Sequence, residues 1–300
     1  MTALSFFIID LLPGDVADAI AGVGTDSAVV DSAAVEAIRE DLGLDRPVII
    51  RYASWLGKAV TGELGISYQT GQRVSEAIAL RLPVSLQLLV LAQVLALVFA
   101  VPAGIIAAYR AGTVTDRLVT TMTFAFLAAP SFIVAIILAF LFAVLLNWFP
   151  ATGYVAFSDD LIGNLRSIAL PALALALIEW PILSRVLRND LIETLQEDFV
   201  LVAKAKGLSD LYILFRRALR PSSFTLITIV GIQLGNLISG AVIVESIFAL
   251  PGVGSLLVAS IHGREVLMVQ GIIVLIAVSY VVINLVVDIL YGALDPRIRR

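Results

Sequence analysis

The sequence predicts an all-α, polytopic membrane bundle of about six transmembrane helices. The first is shortened, and an acidic extracytoplasmic segment follows it. Three observations predict this class. Of 300 residues, 60% are hydrophobic and mean hydropathy is +1.00, whereas a soluble domain is about half apolar. Five apolar runs approach or exceed the roughly 20 residues that cross a bilayer. Lys and Arg gather in alternate connections, the bias that keeps a loop on the cytoplasmic side.

Composition excludes several chemistries. There is no cysteine and a single histidine, His262, so disulfides, thiolate catalysis and Cys- or His-rich metal sites are ruled out. No G-x-x-x-x-G-K-S/T run occurs, so the chain cannot cradle ATP in a P-loop. Any ATP energy must come from a partner. Without H-E-x-x-H, and with its one His outside the spans, the chain offers little for an intramembrane hydrolase. Neither an enzyme, nor a metal, nor a nucleic-acid partner is expected.

Residues 1–13 are apolar apart from Asp10 and too short to span roughly 30 Å at about 1.5 Å per residue. They also lack the basic region and small-residue cleavage site of a signal peptide. Two accounts compete: the natural start lies upstream, or the first helix is a stub held by its neighbours. The first is the expectation. Residues 14–81 hold 10 of the 24 acidic side chains and read as extracytoplasmic, with loop-forming Gly, Asp and Ser near 22–32. A short helix is expected over 35–42 and an amphipathic one over 48–60. Tyr52 and Trp55 suit an interfacial aromatic belt better than a substrate contact.

Residues 82–292 carry the spans, near 84–108, 118–149, 168–184, 224–248 and 267–290. Gln87 and Gln93 either line a pathway or bond to neighbouring helices, the commoner case. Pro130 and Ser131 sit near the middle of the second run, where a proline frees a backbone carbonyl that only protein or water can satisfy. A kink beside a pathway and plain packing both fit, and packing is the expectation. Glu179, next to Trp180 and Pro181, is an ionisable group inside a span and so a functional candidate. Lining a path and bonding a neighbouring helix remain open for it. Gln233, Asn236 and Glu245 lie on the fourth run. Glu245 is expected to hold the tight 251–254 loop. Asp288, near the inner end of the last run, is expected to pair with an arginine such as Arg297, because a lone charge there is costly. His262 reads as an exposed loop residue. Arg110 and Arg117, the 185–222 loop and the 293–300 tail fall on the inner side, and the intervening segments on the outer.

Between the third and fourth spans lies an island of charge, 197–221. It carries Lys204, Lys206, Arg216, Arg217 and Arg220 against Glu197, Asp198 and Asp210. A helical run through Phe199, Val202 and Ala203 stops at Gly207, suited to the left-handed residue that ends a helix. Ser209 can cap a second short helix with Asp210 in its first turn. The segment reads as a helix–turn–helix on the inner membrane face.

In order, A-K-A-K-G-L-S followed by R-R-A-L-R resembles the cytoplasmic loop of ABC-importer permeases. Ala203 and Gly207 fall on matching motif positions, while Leu201 and Val202 replace the usual Glu and Ala. LLPGD (11–15), LGLDRPV (42–48), GELGISY (62–68), VESIFALPGVGSLL (244–257), REVLMVQG (264–271) and NLVVDILYGALDPRIR (284–299) narrow the likeness. They resemble the B-type subunit of the dipeptide/oligopeptide/nickel branch, over nearly the whole chain. Arg217 stands where that branch often has His.

The resemblance implies a multi-pass permease of the bacterial plasma (inner) membrane that forms half of a peptide pathway. Its implied partners are a second homologous permease (C-type), two ABC ATPases or one fused ATPase, an extracytoplasmic substrate-binding protein, and membrane lipid. ATP and magnesium would sit on the ATPases, and this chain would hold no cofactor. ATPase coupling falls to Asp198, Ala203, Lys204, Ala205, Gly207, Leu208 and Arg217. A secondary transporter working alone is the competing class, but it usually shows internal repeats, and none is evident between the halves.

Overall fold

The computed structural model describes residue 39, residues 46–67 and residues 69–294. Expectations for 1–13, for most of 14–45 and for the 295–300 tail lie outside the described residues. So does the side chain of Asp288, and with it the expected pairing to Arg297.

The described residues are helical, with no strand beyond a single antiparallel bridge between Ile66 and Arg73. Helix α1 covers Val48–Val60 and α2 Val74–Tyr109. Next come α3, Val114–Ala128, and α4, Ser131–Leu138, which widens into a π-helical stretch over Ala139–Leu145. Helix α5 is Leu161–Thr194, α6 Asp198–Ala205 and α7 Asp210–Ile213. A second π-helical stretch, Leu214–Ala218, leads into α8, Leu219–Ile247, followed by α9, Val253–His262, and α10, Val266–Leu294. Among the described residues four helical stretches are long and apolar enough to cross a membrane, or five when α3 and α4 count as one broken span. This is the all-α membrane architecture the apolar runs predict.

Boundaries differ from the hydropathy reading for physical reasons. Helix α2 begins ten residues before the apolar run, because the Val74 amide is fastened to the Gly65 carbonyl at 3.0 Å and Glu76 lies in the first turn, where negative charge is favoured. Helix α5 continues through Pro171 and Pro181 to Thr194, so Arg185 and Arg188 are helical rather than part of a loop. Pro130 acts differently. The residue before a proline is pushed out of the helical region, and here Ala129 adopts φ −87°, ψ 123° and Pro130 is also extended. The axes of α3 and α4 therefore differ by 102°. The second apolar run is a break, neither a gentle kink nor a packed straight helix.

Internal contacts divide the chain into two units, 1–85 with 251–280, and 86–250 with 281–300. In the first, Val74, Ala77 and Ile78 of α2 pack on Val253 and Leu256 of α9 and on Met268 and Ile272 of α10. Val253 at the start of α9 donates its amide to Ser85 Oγ at 2.8 Å. In the second, small residues recur every fourth position along α2: Ala92, Ala96, Ala100, Gly104 and Ala108. The four alanines are buried, and the stripe lets α5 come close through Ala176, Leu183, Leu187 and Leu191. A Cβ on Gly104 would stand 2.9 Å from the Ser184 carbonyl oxygen. Such small-residue seams are how helices associate where lipid supplies no hydrophobic drive. Gly231 and Gly235 of α8 form a second seam, both buried, with Gly231 against Val287 of α10.

Candidate functional site

The charged island folds into a closed hairpin. Helix α6 ends in a Schellman arrangement: Leu208 donates its amide to Ala203 O at 3.2 Å and Gly207 donates to Lys204 O at 2.9 Å. Gly207 has φ +76°, the left-handed geometry its position predicts. Ser209 Oγ accepts from Tyr212 N at 3.4 Å and opens α7. The hairpin has a core of its own, in which Val200, Ala203 and Ile213 are buried with Leu195 and Leu208 against them. Its base is tied by Ser222 Oγ donating to Thr194 Oγ1 at 2.9 Å. Lys204 and Asp210 pair across the turn at 3.5 Å, both exposed, a contact worth about 0–1 kcal/mol.

Of the residues assigned to coupling, Asp198, Lys204, Ala205, Gly207 and Arg217 are exposed and Leu208 is half-buried. Ala203 faces inward and holds the hairpin together instead of presenting a surface. The sequence reading missed the most prominent surface feature. Phe199, Leu201, Val202, Leu211, Tyr212 and Phe215 are all exposed, interleaved with Lys204, Lys206, Arg216 and Arg217. The residue types were visible, but which of the hairpin's apolar side chains turn inward depends on how α6 and α7 pack.

A second missed feature braces the helix that carries the hairpin. Asp116, buried in the first turn of α3, accepts from Arg188 of α5 twice, Nε to Oδ1 at 2.7 Å and Nη2 to Oδ2 at 2.8 Å. It also accepts the Gly112 amide at 2.9 Å. Two further rungs join the same helices. Arg185 lies over the Phe124 ring at 4.6 Å, and Phe126 meets Trp180 edge-on at 5.9 Å.

The intramembrane candidates separate into three settings. Glu179 is 3% exposed and faces Gln93 of α2. Neither its carboxylate nor the Gln93 amide closes a hydrogen bond that meets ordinary geometry. Gln233 and Asn236 bond one another on α8, Asn236 Nδ2 donating to Gln233 Oε1 at 2.9 Å. Asn236 lies on an exposed, half-polar stripe with Thr225, Ile232, Ser239, Ile243 and Ser246. Glu245 is fully buried near the carboxyl-terminal end of α8, and its main-chain carbonyl accepts the Leu250 amide at 2.9 Å where the 250s loop begins. Gln87 bonds across helices. Its Nε2 donates to Asn164 Oδ1, and Tyr154 OH donates to its Oε1 at 3.0 Å, pinning the loop before α5. His262 ends α9, exposed, with Nδ1 2.8 Å from Val258 O. Among the described residues no group of three or more His, Asp or Glu is placed to hold a metal ion.

Comparison with known proteins follows the same lines. A profile for the binding-protein-dependent transport system inner membrane component matches residues 100–300, and one for the N-terminal part of such membrane components matches residues 1–89. A Brucella abortus protein provisionally named a peptide transport system permease is 40% identical over 296 residues, covering 99% of this chain and 93% of its own. The glutathione transport system permease protein GsiC of Escherichia coli O6:H1 is 34% identical over 299 residues, covering 100% of this chain and 94% of its own. The inward-facing MetNI methionine ABC transporter aligns with a TM-score of 0.62 at 15% identity, over 73% of this chain and 96% of that one, a likeness of fold alone.

Proposed function

Since the chain belongs to the family of binding-protein-dependent transport system inner membrane components, the permease subunits of ABC importers, we propose that it forms half of a pathway for peptides. The peptide assignment is supported by relatives named for peptide and glutathione transport. The other half would come from a second homologous permease, and cargo from an extracytoplasmic binding protein. Two cytosolic ATPases, or one fused protein, would hold ATP and magnesium and grip the hairpin at 197–221. Closure of the nucleotide-bound ATPases would draw two such hairpins together. A ligand moves that equilibrium only by its differential affinity for the two states. The exposed stripe of α8 around Asn236 suits the water-lined path, because lipid-facing polar groups are costly. Glu179, buried between helices, suits a structural part better than cargo contact.

One observation carries the ATPase assignment. The hairpin is already folded around its own core, yet it leaves six large apolar side chains exposed among cations. A self-supporting hairpin with an apolar outer face is built to be covered. Leu201→Asp combined with Tyr212→Asp is therefore expected to lose the ATPase during affinity purification in mild detergent, while the two permeases stay together. Undiminished ATPase recovery would overturn the assignment.

Gly207 tests coupling separately. A Cβ there meets no atom within 4 Å, so bulk is not the obstacle. The φ of +76° is, at about 1–2 kcal/mol for a residue with a Cβ. Gly207→Val is expected to leave the complex assembled and hydrolysing ATP while uptake into vesicles falls several-fold. Normal uptake would show that the turn is dispensable.

A further inference from the structure

Helix α1 has two faces that nothing so far uses. We propose that it lies in the plane of the membrane, as an interfacial helix whose apolar stripe rests on the acyl chains of the leaflet in which α2 begins. The stripe is Ile49, Ala53, Leu56 and Val60, spaced 4, 3 and 4 residues apart, which places them on one side of a helix. Ile49 is 73% exposed and Val60 81%, and Ala53 and Leu56 are exposed as well. A second sector, Val48, Arg51, Tyr52, Trp55 and Ala59, is half-buried, with the Tyr52 and Trp55 rings stacked at 6.1 Å. The third sector holds Ser54 and Lys58, exposed and polar, with Gly57 and the exposed Ile50 between them and the stripe.

Charge and tether select phospholipid as the occupant. Lys58 stands opposite the stripe, Arg51 lies two turns before Lys58 on the same side, and Arg46 precedes the helix. Apolar residues on one side, Lys and Arg on the other and aromatic rings at the border are the pattern of helices seated between headgroup and acyl layer. The connection to α2 is short. The Gly65 carbonyl accepts the Val74 amide at 3.0 Å, so Val60 is five residues from the start of α2, and the Thr61, Gly62 and Glu63 amides are themselves bonded back to Lys58 and Ala59. At about 3.5 Å per residue that is roughly 18 Å of reach. Helix α2 has 36 residues, about 54 Å at 1.5 Å each, well beyond the roughly 30 Å hydrocarbon core. Its first turns therefore stand at headgroup depth, and they hold α1 there. A soluble partner would need no such height, and the cations would find no phosphate against it.

The chain has no cysteine, so single cysteines can be spin-labelled in otherwise unaltered protein. The test uses the assembled importer in nanodiscs of phosphatidylethanolamine and phosphatidylglycerol, with labels at Ile49→Cys, Ala53→Cys, Ser54→Cys, Leu56→Cys, Lys58→Cys and Val60→Cys. Collision with oxygen, which concentrates in lipid, is compared with collision with a water-soluble chromium complex. The oxygen-to-chromium ratio is expected to be several-fold higher at 49, 53, 56 and 60 than at 54 and 58. A flat profile open to chromium would put the stripe in water and overturn the proposal. Exclusion of both reagents from the stripe would mean a protein covers it, the binding protein or the second permease, and would overturn it equally. ATP hydrolysis by each labelled importer, unchanged from the parent, shows that the profile belongs to folded protein.

Discussion

Asp116→Ala is expected to lower the thermal unfolding midpoint of the purified subunit more than any other side-chain truncation at the ends of its spans. Asp116 is 5% exposed and takes both arms of the Arg188 fork, at 2.7 and 2.8 Å, together with the Gly112 amide. Removing the carboxylate leaves a half-buried guanidinium with only Asn189 Oδ1, at 3.2 Å. Breaking a buried pair from one side costs about 3–5 kcal/mol. The Arg188 side chain keeps 25% exposure, so solvent recovers part of that and about 2–3 kcal/mol is the expected loss. Removing both charges together, Asp116→Leu with Arg188→Leu, is expected to be milder than Asp116→Ala, because no orphan charge remains. Arg188→Lys keeps the charge but not the planar fork, and should fall between. A double change no better than Asp116→Ala would show that the pair's worth lies elsewhere.

Gly231→Leu is expected to abolish recovery of folded protein. A Cβ on Gly231 would overlap Val287 Cγ2 and stand 2.9 Å from its Cβ, so α8 and α10 must separate to admit even alanine. Overpacking of this kind costs about 1–3 kcal/mol for a methyl group that the surroundings can partly absorb. A leucine adds three more carbons in the same direction. Gly231→Ala should fold with a reduced midpoint, and Val287→Ala should restore part of it by clearing Cγ1 and Cγ2. Failure of that second change to help would place the steric conflict at some other contact. Detergent-stable yield by size exclusion, with the thermal midpoint, reads both.

The parts of this fold that were legible in the sequence are those set within a few residues. Gly207 and Ser209 could be placed as helix stop and helix start because both signals act through neighbouring amides. Apolar runs located the spans because a bilayer asks only for length and hydropathy. Prolines were not legible in the same way. Pro171 and Pro181 sit inside one continuous helix, while Pro130 breaks the chain by 102°, and all three lie within apolar runs of the sequence. What accompanies the difference is burial: Pro171 and Pro181 are buried on α5, which packs along the small-residue seam of α2, whereas Pro130 is exposed. That seam, at every fourth position from Ala92, was a readable signal that went unread.

The candidate site divides along the same line. The hairpin's position and turn followed from local pattern, but its outer face did not. Ala203 matches the motif and yet is buried, while Tyr212 and Phe215, outside the motif, are exposed. Asp116 and Arg188 are 72 residues apart, as Gln87 and Asn164 are 77 apart. Pairings at such separation depend on which helices meet, which no local periodicity encodes. Arg188 read as one more loop cation because its helix was expected to end ten residues early.

The widened turn at Leu214–Ala218 has a geometric consequence for everything on its amino-terminal side. A π-helical stretch is one residue slipped into an α-helix, and each residue turns the chain by about 100°. It sits just ahead of Pro221, whose ring would otherwise press on the carbonyl four residues back. The slipped residue acts as an azimuth setting: without it, the outer face of the hairpin would swing by more than a quarter-circle about the axis of α8. The direction in which this subunit offers its apolar surface is thus decided at one residue of helical phase, just ahead of Pro221.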